Sequence, residues 1–435
     1  MLIVSKFGGS SVANSKQFEK VKGIVLSNQD RKVVIVSALG KKDKEDSKIT
    51  DLLYLLHAHI QYNVPYENIW NLIKDRYNKV IADLNLNTNL DNEFEKLQKE
   101  LNKNISIDYL VSRGEYLTAL LMADYLGFNF VDAKDVIKFN FDGTINHAAT
   151  YKKLSDAYTT YQKVVIPGFY GSLPDGNIKV FSRGGSDISG ALVARALEAT
   201  EYENCTDVSG VLITDPRIIS DAKAIKEISY NELRELAYMG ANVLHEETVF
   251  PVQQLNIPIH IKNTNRPEDY GTIISNNCSD NSQIITGISG KKDFTSFTIT
   301  KKQNINKTKT ILAVSKILDK YKVNIEHMPS SIDSFSIIVN NKDIENKLYD
   351  IIGELNKLEE VENITVDNDI ALLAVVGRNM VTKPGISGMI FGILGNSKIN
   401  IKMIAQGSHE ISIIMGISNA DFEESIKAIY KNIVK

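Results

Sequence analysis

Toward its C-terminus the chain repeats itself, and no other feature narrows its possible folds as much. Ile317-Leu318 recurs as Ile393-Leu394, 76 positions on, and at the same offset Lys322 meets Lys398, Asn324 meets Asn400 and Ile325 meets Ile401. Further along, Ser336-Ile337-Ile338 meets Ser412-Ile413-Ile414. The periodicity of each copy reads strand, helix, strand, strand, helix, strand: a duplicated βαββαβ module. Just before the repeat, the segment from Gly287 to Asp293 reads as a linker, by its glycine and charge content.

The first ~290 residues follow another rhythm, short β-branched runs alternating with helical patterns, which favours a parallel-rich sheet flanked by helices. Leu2-Ile3-Val4 and Val33-Val34-Ile35-Val36 read as buried strands, with Phe18, Val21 and Val25 at helical spacing between them. Residues 51–127 read as mostly helical, and the Asn-rich stretch near 85–104 as a surface elaboration. Strand signals return at Val164-Val165-Ile166 and at 257–261. A chain of 435 residues exceeds the usual size of one core, so two or more domains are expected.

Composition excludes several classes. Fifty basic and 53 acidic residues leave a net charge of −3, without the strongly basic balance of a nucleic-acid binder. Cys205 and Cys278 are too few for a disulfide framework, and the apolar start is too short for a secretory signal, so a cytoplasmic, reducing setting is expected. GxGxxG, GxxxxGK[ST] and GxSxG are all missing. The seven histidines show no metal-ligand spacing: His57 and His59 fall on different helix faces, and His245 has no histidine four residues on.

Three segments carry chemistry. Lys6-Phe7-Gly8-Gly9-Ser10-Ser11 joins the first strand to the first helix; paired glycines admit an anion close to backbone N–H groups, and Lys6 adds a full charge. Read alone, it could equally be a tight turn beside a surface lysine. Ser182-Arg183-Gly184-Gly185-Ser186-Asp187 precedes a second apolar-periodic helix, with Ser186 a possible plain N-cap. Two such turns in one α/β domain suit a ligand with anionic groups at both ends of a crevice. Thr206-Asp207-Val208-Ser209-Gly210-Val211, followed by Thr214-Asp215-Pro216-Arg217, forms either a third element of the site or a pair of ordinary turns.

Taken in order, these segments resemble the aspartokinase pattern, together with Val36-Ser37-Ala38-Leu39-Gly40, Ser112-Arg113-Gly114-Glu115 and Cys205-Thr206-Asp207-Val208-Ser209-Gly210-Val211. The tandem repeat resembles paired ACT domains. The resemblance implies an α/β fold: an amino-acid-kinase-like αβα sandwich over 1–288, then ferredoxin-like ACT modules over 294–370 and 371–435, possibly interleaved. It further implies ATP-dependent phosphorylation of L-aspartate to 4-phospho-L-aspartate, the first step of lysine, threonine and methionine biosynthesis. Mg2+ would accompany ATP, and a homodimer or higher homo-oligomer would form, with no nucleic-acid or membrane partner.

Residue by residue, Lys6 would lie against the transferring phosphoryl group, ringed by the Gly8, Gly9 and Ser10 amides and oriented by Asp187. Arg183 would hold the substrate α-carboxylate in its planar fork, and Glu115 would accept the substrate ammonium. Ser37, Thr50, Phe169 and Ser186 match substrate-contacting positions; Thr206, Asp207, Asp215 and Arg217 match the nucleotide side. The chain departs from the pattern at Asn242, where lysine is usual, at Leu212 in place of a frequent tyrosine, and at Ser10 in place of threonine. Glu326 aligns with Lys402 across the repeat, so a lysine-like effector is expected near Glu326, with Ile325 and Ser331 beside it. Glutamate or acetylglutamate kinases, a non-catalytic amino-acid sensor and a purely structural protein are the competing readings.

Overall fold

The computed structural model describes residues 1–182, 184–241, 244, 246–278, 283–407 and 409–434. The chain forms two units, Met1–Val211 with Ala224–Tyr230 and Val243–Cys278, and Leu212–Lys223 with Asn231–Asn242 and Ser279–Lys435.

The first unit is built on strands β1 (Ile3–Phe7), β2 (Arg31–Val36), β3 (Asn129–Phe130), β4 (Val164–Pro167), β7 (Glu201–Thr206), β8 (Glu227–Ser229), β9 (Ile259–Asn263) and β10 (Thr272–Ser275). A small hairpin, β5 (Tyr170–Ser172) and β6 (Ile178–Val180), stands apart. The large sheet runs β3-β4-β2-β1-β7-β9-β10-β8, and only the β9–β10 pair is antiparallel. All five residues of β1 are buried, as expected of a parallel strand covered on both faces. In register, Phe7 lies beside Val36 and Cys205, and Val36 beside Pro167. The turns that follow β1, β2, β4 and β7 therefore leave the sheet at one edge.

The stretch at 85–104 is more than surface. It holds a helix, Asp91–Glu100, whose Phe94 and Leu97 join the main core, with Phe94 edge-on to Trp70 at 5.8 Å. Polar residues dominate its composition because only one side of the helix is buried.

In the second unit, β11 (Gly287–Lys301), β12 (Ser334–Asn340), β13 (Val361–Val376), β14 (Met403–Gln406) and β15 (Ser412–Ile417) form an antiparallel sheet ordered β12-β11-β13-β15-β14. The repeat offset is visible in its helices, Lys307–Lys320 and Ile386–Asn396. It also appears in Lys322 and Lys398, which end equivalent helices with φ of 55° and 60°. The copies interleave: residues 294–301 of β11 pair with β12 and the first part of β13, whereas 287–291 pair with 372–376. The expected linker at 287–293 is thus mostly strand. Its glycines mark close packing, since a Cβ at Gly287 would lie 2.7 Å from Leu236, and one at Gly290 would collide with the Leu372 carbonyl and lie 2.7 Å from the Phe422 ring. Inside this unit Glu232, fully buried, binds Arg378 at 2.8 Å and accepts the Thr286 hydroxyl at 2.5 Å.

No helix among the described residues is long and apolar enough to cross a membrane.

Two glycines test this reading of the second unit. Gly290→Ala should destabilise it by about 1–3 kcal/mol through overpacking. Gly353→Ala, in the helix Leu348–Leu355 with open space around it, should be neutral or stabilising by up to about 1 kcal/mol. Chemical denaturation followed by circular dichroism measures both. Equal effects at the two positions would contradict the assignment of Gly290 to a packed strand.

Candidate active site

Ligands of open parallel sheets bind outside the carboxyl ends of the strands, and the shared edge of β1, β2, β4 and β7 gathers the expected residues there. Lys6, one residue before the end of β1, is buried along its stem. Its Nζ meets Asp187 Oδ1 at 2.5 Å and donates to Asn204 Oδ1 at 3.3 Å. Asn204 Nδ2 donates in turn to the same Asp187 oxygen at 3.1 Å. One amide thus braces both members of the ion pair. Asp187 retains a quarter of its side-chain exposure, so the pair faces the edge rather than the core. Asn204 was not among the expected site residues; it is one of several polar residues in β7, and nothing local in the sequence sets it apart.

Glycines set the shape of the edge. The Gly8 N–H donates to the Cys205 carbonyl at 3.1 Å, so this member of the expected amide ring is committed to the sheet. Gly40 N–H donates to the Gly9 carbonyl at 3.0 Å, and a Cβ at Gly40 would collide with Gly9. The β1 and β2 turns therefore touch backbone to backbone. Across the edge, a Cβ at Gly168 would lie 2.6 Å from Ser186 Oγ, and one at Gly185 would run into the Phe169 ring. Phe169 has φ of 78°, a left-handed conformation that costs a bulky residue about 1–3 kcal/mol. Its N–H donates to Ser189 Oγ at 3.0 Å and its carbonyl accepts the Phe181 N–H at 2.9 Å. Gly184, with φ of 59°, caps the helix Gly185–Ala196, so Ser186 lies inside the first turn and is not the N-cap.

Glu115 projects from the helix Ile107–Leu126 and is buried. The helix approaches the β2 turn because Gly114 leaves no room: a Cβ there would lie 2.8 Å from Ala38 Cβ. Burial pushes the Glu115 carboxyl up to about 8, against the opposing pull of the Ala38 and Glu115 backbone N–H groups and the Arg113 guanidinium. Its Oε2 has no hydrogen-bond partner among the described residues. Arg113 stacks over the rings of Tyr109, Tyr116 and Tyr170 at 4.7, 4.5 and 5.4 Å.

The other expected residues divide. Ser37 and Thr50 are half-buried around the β2 turn; the Ser37 N–H donates to Phe7 O, and that of Ile49, beside Thr50, to Leu39 O. Thr206 ends β7, its hydroxyl donating to the exposed Asp207 at 3.1 Å. Arg183 and Asn242 lie outside the described residues. Asp215 and Arg217 belong to the second unit, where the guanidinium forks onto its neighbour's carboxylate at 2.5–3.0 Å and draws the Asp215 pKa down. Also in the second unit, Glu326 accepts the Tyr238 hydroxyl at 2.6 Å, and Ile325 is 38% exposed. Ser331 instead lines a separate cavity of about 340 Å3 with Ser296, Thr298, Asp367 and Lys402. Lys402, the counterpart of Glu326, is held by Asp367 at 3.0 Å.

Residues 1–263 match the amino acid kinase family, and residues 373–433 match the ACT domain. Aspartokinase 3 of Bacillus subtilis is 31% identical over 446 residues, covering 98% of both chains. The crystal structure of Clostridium acetobutylicum aspartate kinase superposes with a TM-score of 0.92 at 44% identity, over 99% of each chain. Escherichia coli aspartokinase III superposes over 100% of each chain in two complexes: TM-score 0.75 and 25% identity with aspartate and ADP, 0.76 and 26% with lysine and aspartate.

Glu115 generates a prediction whose sign is fixed. Its folded pKa of about 8 lies above the ordinary 4.5, so between those values the folded state holds a proton that the unfolded chain has released. Stability from this group is therefore lost as pH rises through that window. Glu115→Gln removes the titration, so the stability of the parent relative to this variant should fall steadily from pH 5 to pH 8 in urea denaturation. A flat difference would refute the raised pKa.

Proposed function

We infer the reaction from kinship and site together: the chain belongs to the amino acid kinase family, in its aspartokinase branch. It is an aspartate kinase, transferring the γ-phosphoryl group of ATP to the side-chain carboxylate of L-aspartate. The observation that carries this reading is the Lys6–Asp187–Asn204 cluster at the carboxyl edge of β1, flanked by two glycine turns.

The acceptor needs no general base, because an aspartate side chain with a pKa of about 3.9 is already ionised at neutral pH. Two anions must instead be brought together and their charge offset. In our reading Lys6 lies against the transferring phosphoryl group and stabilises the charge that builds on it, while Asp187 and Asn204 hold the ammonium in place. The Gly9 and Ser10 amides face the phosphates, with Thr206 and Asp207 on the nucleotide side. Arg183 takes the substrate α-carboxylate, Glu115 its ammonium, and Ser37, Thr50, Phe169 and Ser186 line the aspartate pocket. A divalent ion would arrive on the nucleotide's own phosphates. We assign that ion as Mg2+, where it would offset phosphate charge beside Asp187. The enzyme works in the cytoplasm, and the ACT modules of two chains pair, with Leu312, Met328 and Ile332 exposed on the module that would meet its copy.

The effector is an ammonium-bearing amino acid, lysine, as in the complex of the E. coli relative. Glu326 supplies the carboxylate that recognises it, in competition with the Tyr238 hydroxyl.

ADP release with aspartate, glutamate and acetylglutamate offered separately should show turnover with aspartate; its absence there overturns the reading. Lys6→Met should lower kcat at least 100-fold with far less effect on aspartate binding, because the charge is needed mainly in the transition state. A near-normal kcat would assign the work to another cation. On regulation, Glu326→Ala should abolish inhibition by lysine, whereas Tyr238→Phe should strengthen it by removing the competitor. Inhibition curves unchanged in both variants would move the effector elsewhere.

A further inference from the structure

Arg76 lies on the helix Glu67–Leu84, which supplies none of the site residues named above, yet its guanidinium reaches the backbone that follows the β1 glycine turn and the segment that leaves β2. Its side chain is nine-tenths buried. Nη1 donates to the Ser47 carbonyl at 2.5 Å; Nη2 donates to the Gly40 carbonyl at 2.5 Å and to the Ala13 carbonyl at 3.5 Å. Asp46 Oδ2 balances the charge at 3.3 Å from Nη2 and also accepts the Lys42 N–H at 3.0 Å.

Ala13 directly follows the short 3-10 helix Gly9–Val12 that completes the β1 turn. Gly40 and Ser47 belong to the segment that leaves β2 and carries Ser37. These two segments touch through bare backbone at Gly9 and Gly40, where neither residue has a side chain to lock the contact. A single cation, bonded closely to two carbonyls of the β2 segment and at 3.5 Å to Ala13 on the β1 side, thus links the two.

We propose that Arg76 is a positioning residue for phosphoryl transfer, one that fixes the β1 glycine turn against the β2 turn and so sets where the Gly9 and Ser10 amides stand relative to Lys6. The role suits arginine. Its planar fork directs several N–H groups along fixed lines, so one side chain can hold three carbonyls and a carboxylate, whereas a lysine ammonium is a point donor on a flexible stem. Arg76 touches no reacting atom in this scheme. It acts through geometry, and a displacement of about 1 Å at reacting groups can cost about 100-fold in rate.

The proposal rests on the kinase reading, so aspartate-dependent ADP release by the parent enzyme is measured first; its failure strikes that reading and not this one. Arg76→Gln, Arg76→Lys and Asp46→Asn are then compared by kcat per folded molecule at saturating ATP and aspartate, alongside the midpoint of thermal unfolding. We expect kcat to fall at least 10-fold in Arg76→Gln. Arg76→Lys should recover at least 3-fold of that loss, and Asp46→Asn, which only loosens the clamp, should show a smaller loss than Arg76→Gln. A merely structural arginine would lower the unfolding midpoint and the folded yield while leaving kcat per folded molecule unchanged. The proposal is overturned if Arg76→Gln stays within 2-fold of the parent kcat. Should Arg76→Gln fail to fold, Asp46→Asn decides alone: a kcat at least 2-fold below the parent supports the clamp, and an unchanged one overturns it.

Discussion

A lysine ammonium whose stem is packed inside a sheet needs a counter-charge, because an unpaired charge removed from water costs several kcal/mol. Lys6 finds that partner in Asp187 at 2.5 Å, with Asn204 bonded to both. The three come from β1, from the first turn of a helix nearly two hundred residues later, and from the strand that follows that helix. Satisfying one charge thus fixes β1 beside β7 and the helix Gly185–Ala196 against their edge. Strand alternation sends the neighbouring polar pair the other way. Ser5 and Glu203, in register with each other, turn to the opposite face, where Arg31 forks onto Glu203 at 2.7 and 2.8 Å. Burial pushes that carboxyl up, yet the Arg31 bonds and charge, with the Ser5 hydroxyl and Lys262, together hold it below its ordinary pKa. One face of the strand pair is locked by Arg31 and the other carries the Lys6–Asp187–Asn204 cluster.

The glycines at this edge act mostly through close approach rather than flexibility. Gly9 lies on Gly40, Gly114 on Ala38, Gly168 on Ser186 and Gly185 on Phe169. The two glycine turns were legible in the sequence because each sits between an apolar strand and an apolar-periodic helix. Gly40 was visible only as part of a family-like pentapeptide, and its physical task depends on Gly9, thirty-one positions earlier. Asn204, the left-handed backbone of Phe169 and the reach of Arg76 are legible only once the strands are placed. Each is defined by a partner distant in sequence, and no local spacing rule encodes that partner.

Fold class and module count followed from periodicity, while boundaries did not. A Gly-Lys-Lys stretch reads as a linker when judged by composition, yet residues 287–291 pair with 372–376 across a tightly packed sheet. The cue that misled is the same one that packing requires, since glycine is what admits Phe422 and Leu236 so close. Interleaving also explains why β11 and β13 are far longer than typical strands: each serves two copies of the repeat. At 85–104 composition again told only part of the structure. Asparagine-rich composition described the solvent side, and four buried apolar residues, Leu90, Phe94, Leu97 and Leu101, tie the stretch to the core.

Electrostatics adds a last constraint on a site that must welcome two anions. In the proposed scheme free carboxylates there would repel both ATP and aspartate, yet Asp187 holds Lys6 and Glu115 is assigned to the substrate ammonium. The two are handled differently. Asp187 is neutralised by direct contact with Lys6. Glu115 is instead kept largely protonated at neutral pH by burial, with a pKa of about 8 and one oxygen lacking a partner among the described residues. In the proposed scheme the empty site therefore carries little uncompensated negative charge. An arriving ammonium supplies the charge that makes ionisation of Glu115 favourable, so the proton leaves only when the matching cation is in place. A ligand with a carboxylate but no ammonium meets a neutral group and gains nothing from it. Discrimination for an amino acid over a simple dicarboxylate then follows from the burial of one side chain, which Gly114 makes possible by letting its helix approach Ala38.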